Sequence, residues 1–239
     1  MSRRAVVTGG ARGIGAAIVA RLRADGCHVT ALDIVEPDGA GPDRFVQVDL
    51  ADAPAARAAC AEIAAQGSVA CLVNNVGIVA PAPLEAVALE DLDRLFHVNL
   101  RPSLIAAQAF VPAMKAAGHG RIVMNTSRVT LGKELRSLYS ATKGAAQSMA
   151  RTWALELAPF GITVNCVAPG PIATEAFWRN NPPEAATTRA IVDKVPMRRM
   201  GTGEDVAQAV AFFCDARSGF VTGQTVFVCG GVTVGLAGA

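Results

Sequence analysis

The sequence predicts an α/β fold in a single domain, with a doubly wound parallel sheet of about seven strands flanked by helices. Three observations predict it. Short β-rich runs alternate with longer helical stretches. The strand segments are apolar throughout instead of alternating with polar residues, which is typical of a parallel sheet covered on both faces. No linker, internal repeat or low-complexity tract divides the 239 residues.

The elements follow one another in a regular order. Short runs of mainly apolar, often β-branched residues predict the strands. These runs are 4–8, 27–34, 44–50, 69–75, 120–127, 161–170 and 223–231. Longer stretches with helical composition, several rich in alanine, predict the helices. They span 13–26, 53–67, about 89–117, about 138–158 and about 203–214.

One region, residues 171–200, fits no regular element. It is rich in proline and asparagine, and it is long enough to form a lid over a substrate. Phe177 and Trp178 within it, together with Val129 and Leu138, would supply apolar surface to a substrate pocket. The alternative is that Phe177 and Trp178 anchor the lid or a subunit contact.

Composition excludes several classes of protein. The formal net charge of +2 and the lack of a dense Lys/Arg run argue against a nucleic-acid partner. Each apolar run is short and interrupted, so we expect no membrane span. Six scattered cysteines without a CxxC pair disfavour disulfides and metal binding, and they suit a reducing cytoplasm.

A glycine-rich loop, "TGGARGIG" at residues 8–15, joins the first strand to the first helix. Glycines let the backbone turn tightly and approach a pyrophosphate, while a helix N-terminus offers free N–H groups and the positive end of its dipole. The G-x-G-x-x-G fingerprint is absent, and an ordinary strand–helix turn is the alternative. Its place after the first strand favours dinucleotide binding.

Asp33 closes the second predicted strand. A carboxylate there is expected to bind the adenosine ribose hydroxyls and to repel the 2′-phosphate of NADP. The residues "IVEP" beyond it supply no compensating base. We therefore expect NAD, with NADP the less favoured cofactor. Arg12, inside the glycine loop, leaves phosphate binding open.

Tyr139 is the only tyrosine of the chain, and Lys143 follows it by four positions in "YSATK". Residues four apart share one face of a helix. A nearby ammonium lowers the pKa of a phenol, so Tyr139 could exchange a proton with an alcohol or carbonyl. Ser127, which follows the preceding strand, could hold the substrate oxygen. The structural alternative is that Tyr139 and Lys143 only form the edge of an amphipathic helix.

Six blocks together resemble the short-chain dehydrogenase/reductase family, in order and over nearly the whole chain. They are "TGGARGIG", "NNVG" (74–77), "HVNL" (97–100), "NTS" (125–127), "YSATK" and "PGPIAT" (169–174). The resemblance implies a Rossmann-like fold. It also implies a catalytic tetrad of Asn99, Ser127, Tyr139 and Lys143, in which the lysine also binds the nicotinamide ribose.

The resemblance further implies a set of residues that contact the cofactor. The loop supplies Thr8, Gly9, Arg12, Gly13, Ile14 and Gly15. The adenosine side is met by Asp33, Asp49, Leu50, Asn75 and Gly77. The nicotinamide side is met by Tyr139, Lys143, Pro169, Gly170, Ile172 and Thr174. Structural alternatives stay open: Asn99 could break a helix before Pro102, Thr174 could be an N-cap, and Asp49 could cap a turn.

The leading functional hypothesis is an NAD-dependent dehydrogenase acting on a secondary alcohol or its ketone. A 3-oxoacyl-thioester reductase using NADPH is the second. A redox-sensing NAD-binding protein without turnover is the third. Arg128, Lys133 and Arg136 could meet an anionic substrate or only solvate the surface. The resemblance also implies a homo-oligomer, a dimer or a homotetramer, formed through the helices at about 89–117 and 138–158.

Overall fold

Seven parallel strands form one sheet in the computed structural model, which describes residues 3–182 and 184–235. The strands are β1 Arg4–Thr8, β2 His28–Asp33, β3 Arg44–Gln47, β4 Cys71–Asn74, β5 Gly120–Asn125, β6 Ile162–Pro169 and β7 Thr225–Val228. Their spatial order is β3-β2-β1-β4-β5-β6-β7, and every pair of neighbours is parallel. The predicted doubly wound sheet is confirmed.

Among residues 3–182 and 184–235, eight α-helices connect and cover the strands. They are α1 Gly13–Ala24, α2 Ala53–Ala65, α3 Leu89–Asn99, α4 Arg101–Ala117, α5 Ser137–Leu157, α6 Glu175–Asn180, α7 Ala186–Asp193 and α8 Gly203–Cys214. Four short 3₁₀ helices occupy Leu84–Ala86, Arg128–Leu131, Ala158–Phe160 and Ala216–Ser218. Within the described part of the chain, none of the helices has the length and apolarity needed to cross a bilayer.

Both faces of the sheet are buried, which explains why its strands are continuously apolar. One face packs against α2, α4 and α5 in a core that includes Ile63 and Phe110. The other face packs against α1 and α8 in a second core that includes Ile18 and Phe213. All six cysteines are free and buried.

The predicted helix over about 89–117 is two helices that meet at Leu100. Pro102 has no N–H, so it cannot donate to the carbonyl one turn before it. The amide of Ser103 donates to the Leu100 carbonyl (3.1 Å) instead of continuing the α-helical pattern to Asn99. Leu100 departs from helical geometry with φ −122°. The break leaves Asn99 as the buried last residue of α3.

The strand order places the connections on opposite sides of β1, towards β2 on one side and β4 on the other. In open α/β sheets, ligands bind at such a switch point, outside the carboxyl ends of the strands. This edge of the sheet carries the ends of β1, β2, β4, β5 and β6. The ends of β1, β4, β5 and β6 lead into predicted sequence blocks, and β2 ends at Asp33.

The described residues of 171–200, which are all but 183, leave the sheet after β6 and carry α6 and α7. Their base is closed by a parallel bridge between Ile172 and Gly201. The amide of Ala173 donates to the Gly201 carbonyl at 2.8 Å, and the amide of Gly201 donates to the Pro171 carbonyl at 3.0 Å. The segment is therefore an excursion with a fixed base, beside the predicted site.

Candidate active site

The glycine loop between β1 and α1 depends on the absence of side chains. Gly9 and Gly13 have φ of +64° and +55°, which favour glycine. A Cβ on Gly15 would lie 1.8 Å from the carbonyl oxygen of Gly9, so helix and loop touch backbone to backbone. Ile14 packs against the core beside α8. No side chain caps α1, and its first turn holds no acid. The loop thus suits an anion such as a pyrophosphate.

Thr8 and Asn75 bind the ends of β1 and β4 together. The Thr8 hydroxyl accepts hydrogen bonds from the amides of Asn75 (3.0 Å) and Val76 (3.3 Å). The Asn75 side chain donates to the Gly9 carbonyl (2.8 Å). These contacts fix the glycine loop relative to the segment after β4, which is the arrangement that the sequence predicts for the adenosine side of the cofactor.

Asp33 lies at the end of β2 and faces the glycine loop. Its Oδ2 accepts from the amide of Ala11 (3.0 Å), and its Oδ1 accepts from the amide of Ile34 (2.7 Å). Arg12 forms an exposed ion pair with Asp38, with Nε 3.1 Å from Oδ2. The carboxylate at this position is thus held by backbone amides, while the loop arginine is partnered by a different acid.

Asp49 and Leu50 follow β3. The Asp49 carboxylate accepts from the amide of Ala51 (2.8 Å), so it caps the turn before α2, as the structural alternative proposed. The Leu50 side chain is buried in the core beside α2 and α4. Of the two residues predicted to contact the adenosine here, Leu50 therefore uses its side chain for core packing.

Tyr139 and Lys143 are neighbours on α5, as their spacing predicts. The Lys143 ammonium lies 5.6 Å from the centroid of the Tyr139 ring and donates to the Asn125 carbonyl (2.8 Å). A Cβ on Gly77 would lie 3.2 Å from that ammonium and 3.3 Å from Oδ1 of Asn99. Gly77, Asn99 and Lys143 therefore meet at one point.

Asn99 is held by a network that sequence reasoning missed in part. Its Oδ1 accepts from the amide of Ile78 (2.8 Å), and its Nδ2 donates to the Ile78 carbonyl (3.0 Å) and to the Thr142 hydroxyl (3.0 Å). Thr142 in turn donates to the Tyr139 carbonyl (2.9 Å). Thr142 is one of the three residues between Tyr139 and Lys143, to which the sequence analysis gave no role. Its complete burial became visible only in the structure.

Asn125 is the second residue that the sequence did not single out. Its carbonyl accepts from Lys143, and its Nδ2 donates to Oδ1 of Asn75 (2.6 Å). It therefore connects the predicted adenosine side of the site to Lys143, the lysine of the predicted tetrad. Among the described residues its own Oδ1 has no hydrogen-bond partner although it is buried. The available signal was its place at the end of β5, two residues before Ser127.

Ser127 begins the 3₁₀ helix Arg128–Leu131 as its N-cap, and its hydroxyl oxygen accepts from the amide of Val129 (3.3 Å). Burial raises the pKa of Tyr139, while the nearby Ser127 hydroxyl and the charge of Arg136 act in the opposite direction. Burial also lowers the pKa of Lys143 to about 8. The expected net lowering of the phenol pKa is therefore not found, because desolvation outweighs the Ser127 hydrogen bond and the charge of Arg136.

The segment after β6 brings the remaining predicted residues to the same edge. Pro169 ends β6, and a Cβ on Gly170 would lie 2.6 Å from the Cα of Cys229, so that glycine allows close backbone packing. Ile172 is buried. The Thr174 hydroxyl caps α6 by accepting from the amide of Phe177 (3.2 Å), as the structural alternative proposed.

Thr174 also faces the glycine loop. Its Cγ2 lies 3.4 Å from the position that a Cβ on Gly13 would occupy. The base of the 171–200 segment and the pyrophosphate-type loop thus border one space. Positive-φ glycines, an uncapped helix N-terminus and an orphaned amide oxygen on Asn125 line that edge, and together they fit a nicotinamide dinucleotide.

Comparison with known proteins agrees with this geometry. A family model described as "Enoyl-(Acyl carrier protein) reductase" matches residues 9–233. A (2S)-[(R)-hydroxy(phenyl)methyl]succinyl-CoA dehydrogenase subunit of Thauera aromatica is 34% identical, with 96% of each chain covered. An L-xylulose reductase of Mesocricetus auratus is also 34% identical, with 97% of each chain covered.

Solved structures are similar to this chain over nearly their whole length. A putative NAD(P)-dependent gluconate 5-dehydrogenase of Beutenbergia cavernae, with bound NADP at low occupancy, superposes with a TM-score of 0.91 at 35% identity, covering 98% of this chain and 97% of the other. A ligand-free aldohexose dehydrogenase of Thermoplasma acidophilum has a TM-score of 0.91 at 27% identity, covering 100% and 96%. The chain belongs to the short-chain dehydrogenase/reductase family of oxidoreductases.

Proposed function

We propose that this protein transfers a hydride between NAD(H) and a secondary alcohol or its ketone, with Tyr139 as the general acid and base. The observation that carries the proposal is the convergence of Ser127, Tyr139 and a buried Lys143 at the carboxyl edge of the sheet, beside the glycine loop. The bound cofactor supplies the carbon that accepts or donates the hydride.

Proton transfer falls to Tyr139. Because burial raises its pKa, the phenol is protonated at neutral pH, and it can donate a proton to a carbonyl oxygen during reduction. Oxidation requires the reverse transfer, which positive charge near the phenol favours. Lys143 provides such a charge, since a pKa of about 8 leaves it mostly protonated at neutral pH. Ser127 lies beside the phenol, where its hydroxyl would hold the substrate oxygen.

Asp33 supports NAD over NADP. Its carboxylate is fixed at the end of β2 by the amides of Ala11 and Ile34, so a 2′-phosphate would bring a second negative charge to it. The cation that would compensate, Arg12, is already paired with Asp38. NADP is the alternative cofactor, and it is supported by the NADP bound to the similar structure from Beutenbergia cavernae.

A second candidate is a 3-oxoacyl-thioester reductase that uses NADPH. It is favoured by the CoA-thioester substrate in the name of the Thauera aromatica relative. The description of the matching family model names an acyl carrier too, but an enoyl reductase reduces a carbon–carbon double bond and so supports only the thioester class. A non-catalytic NAD-binding sensor is disfavoured, because Ser127, Tyr139 and Lys143 are all present and assembled.

Three further features belong to the proposal. Residues 171–200, with Phe177 and Trp178 in edge-to-face contact at 5.1 Å, act as the substrate lid of a single catalytic domain. The chain forms a homo-oligomer, a dimer or tetramer, through α3, α4 and α5. It works in the cytoplasm, where its six free thiols stay reduced.

The test is an absorbance assay of nicotinamide reduction with a panel of secondary alcohols, run with NAD and NADP side by side. We expect turnover with NAD. In Tyr139→Phe, we expect a loss of kcat of about 100-fold or more, while NADH binding measured by fluorescence persists. Turnover with NADP alone would overturn the NAD assignment, and unchanged turnover in Tyr139→Phe would overturn the role of the phenol.

A further inference from the structure

Three basic residues occupy the short stretch between Ser127 and Tyr139. Arg128 directly follows Ser127 and starts the 3₁₀ helix Arg128–Leu131. Arg136 is the residue before α5 and lies three positions ahead of Tyr139. Lys133 lies between them. Arg128 and Arg136 are half-buried, and Lys133 is exposed. All three cations therefore sit on the segment that joins the two groups expected to hold the reacting oxygen.

This basic segment, residues 128–136, is fixed to the rest of the site. The Ser140 hydroxyl on α5 donates to the Val129 carbonyl (2.8 Å). The amide of Ala82, in the loop after β4, donates to the Leu135 carbonyl (3.2 Å). Leu135 has φ +60°, a conformation in which a side chain is strained. The backbone that carries the three cations is thus fixed between Ser127 and Tyr139.

Within residues 3–182 and 184–235, no acidic side chain forms an ion pair with any of these three cations. Each ion pair found there uses other residues, and Glu134, inside the basic segment, pairs with none of the three. Although Lys133 is exposed, partial desolvation lowers its pKa, and the charges of Arg128 and Arg136 lower it further. Three like charges held within mutual reach are unfavourable unless an anion joins them.

The cations also reach the catalytic groups. The charge of Arg136 acts on the Tyr139 phenol and favours its ionised form. Arg128 is partly desolvated, because burial lowers its pKa. A guanidinium in such a position binds a carboxylate or phosphate more strongly than one in bulk water, through paired charge-assisted hydrogen bonds.

We propose that the substrate of the Tyr139 site carries a carboxylate or phosphate group, and that Arg128, Arg136 and Lys133 bind this anion and select the substrate. The inference rests on the proposed hydride transfer at Tyr139, and it adds the chemical class of the substrate. A small hydroxy acid, a phosphate ester and the phosphates of a thioester carrier present the same anionic oxygens, so the experiment separates these sources.

The experiment compares paired substrates in one NAD-linked assay. Hydroxy acids whose hydroxyl lies one to four carbons from the carboxylate are each paired with their primary amide. 3-Hydroxybutyl phosphate is paired with butane-1,3-diol. 3-Hydroxybutyryl-coenzyme A is paired with the N-acetylcysteamine thioester of the same acid, which lacks phosphates. The quantity measured is the ratio of kcat/KM between the charged and the neutral member of each pair.

We expect the charged member to be preferred by about tenfold or more in at least one pair, and the preference to weaken with added salt. Arg128→Gln and Arg136→Gln should lower that preference by about tenfold, mainly through KM, and Arg128→Lys should restore part of it. Lys115→Gln removes an exposed charge at the end of α4, at the opposite edge of the sheet, and should leave the preference unchanged. Equal kcat/KM in every pair would overturn the proposal, while the proposed hydride transfer would stand.

A binding measurement covers the case in which no substrate turns over. Malonate and inorganic phosphate are titrated by calorimetry into the wild type and into the variant carrying Arg128→Gln, Lys133→Gln and Arg136→Gln, each checked for folding by circular dichroism. Binding that is lost in the variant would support the anion site even if the proposed hydride transfer failed. Absence of binding to the wild type, or binding that survives in the folded variant, would overturn the anion site.

Discussion

Replacing Lys143 by methionine should change the pH dependence of stability in a direction that follows from its burial. Lys143 is 4% exposed, and its ammonium donates to one carbonyl, that of Asn125. Burial lowers its pKa from 10.5 to about 8 in the folded protein without cofactor. The unfolded chain therefore binds a proton that the folded protein releases between these two values, and wild-type stability rises with pH across this window.

The magnitude follows from the gap between the two pKa values. At about 1.4 kcal/mol per pH unit, a pKa of about 8 against 10.5 costs the folded wild type about 3 kcal/mol at pH 7. The same two values leave a cost of about 1.4 kcal/mol at pH 9.5. The cost is complete below pH 8 and disappears above the pKa of the unfolded lysine. Lys143→Met removes it at every pH.

The variant carries a cost of its own. Methionine leaves the Asn125 carbonyl without its donor, which costs about 1–3 kcal/mol, but this cost does not depend on pH. The stability of Lys143→Met relative to the wild type should therefore be about 2 kcal/mol more favourable at pH 7 than at pH 9.5. Urea unfolding followed by circular dichroism, without cofactor, measures both values.

Lys115→Met is the matched control, because Lys115 is exposed at the end of α4 and should show no comparable change between the two pH values. If the difference between Lys143→Met and the wild type is the same at both pH values, Lys143 titrates as it does in the unfolded chain. The argument from burial would then be refuted.

Substitutions at three further positions test the packing and hydrogen bonding of the site. Gly15→Ala places a Cβ 1.8 Å from the Gly9 carbonyl, so we expect about 2 kcal/mol or more of lost stability and weaker NADH binding, measured by thermal unfolding and fluorescence. Gly144→Ala, on α5 with open space around the added Cβ, should instead stabilise by about 0.5–1 kcal/mol. Thr142→Val removes the acceptor for Asn99 and should lower both stability, by about 1–3 kcal/mol, and kcat, whereas Thr142→Ser should restore them; equal behaviour of the two variants would show that the hydroxyl positions nothing.

Most of the fold could be predicted because the strands of a parallel sheet are buried on both faces. Each strand is therefore a short, continuously apolar run in the sequence. Each of the seven predicted strands exists, with ends shifted by a few residues, and the helix predicted at 203–214 matches α8. The sequence predicts one helical stretch over about 89–117, with a break at Asn99 before Pro102 as an open alternative. Helical composition on both sides did not decide between them, and the structure has the break at Leu100. It arises from the missing N–H of Pro102 together with the hydrogen bond that Ser103 makes instead.

Long-range partners explain what the sequence could not show. Arg121 lies in the predicted strand over 120–127, yet it is 3% exposed and donates to the carbonyls of Gly161 (3.2 Å) and Ala216 (3.1 Å). These partners lie 40 and 95 residues away along the chain. A charged residue within an apolar run gives no indication of which distant carbonyls will surround it, so its burial had to be observed.

In the candidate site, too, a sequence motif predicts which residues are neighbours, whereas burial determines how their pKa values change. The spacing of Tyr139 and Lys143 correctly predicts that they are neighbours, but it carries no information about solvent, and solvent decides the sign of both pKa changes. Burial favours the uncharged form of each group: the neutral phenol and the neutral amine. A pair held in this way changes its protonation when a charge enters the site, so an anionic group on Arg136 would remove a charge that now favours the phenolate. Substrate binding and proton transfer at Tyr139 would then be coupled through the same basic segment, residues 128–136.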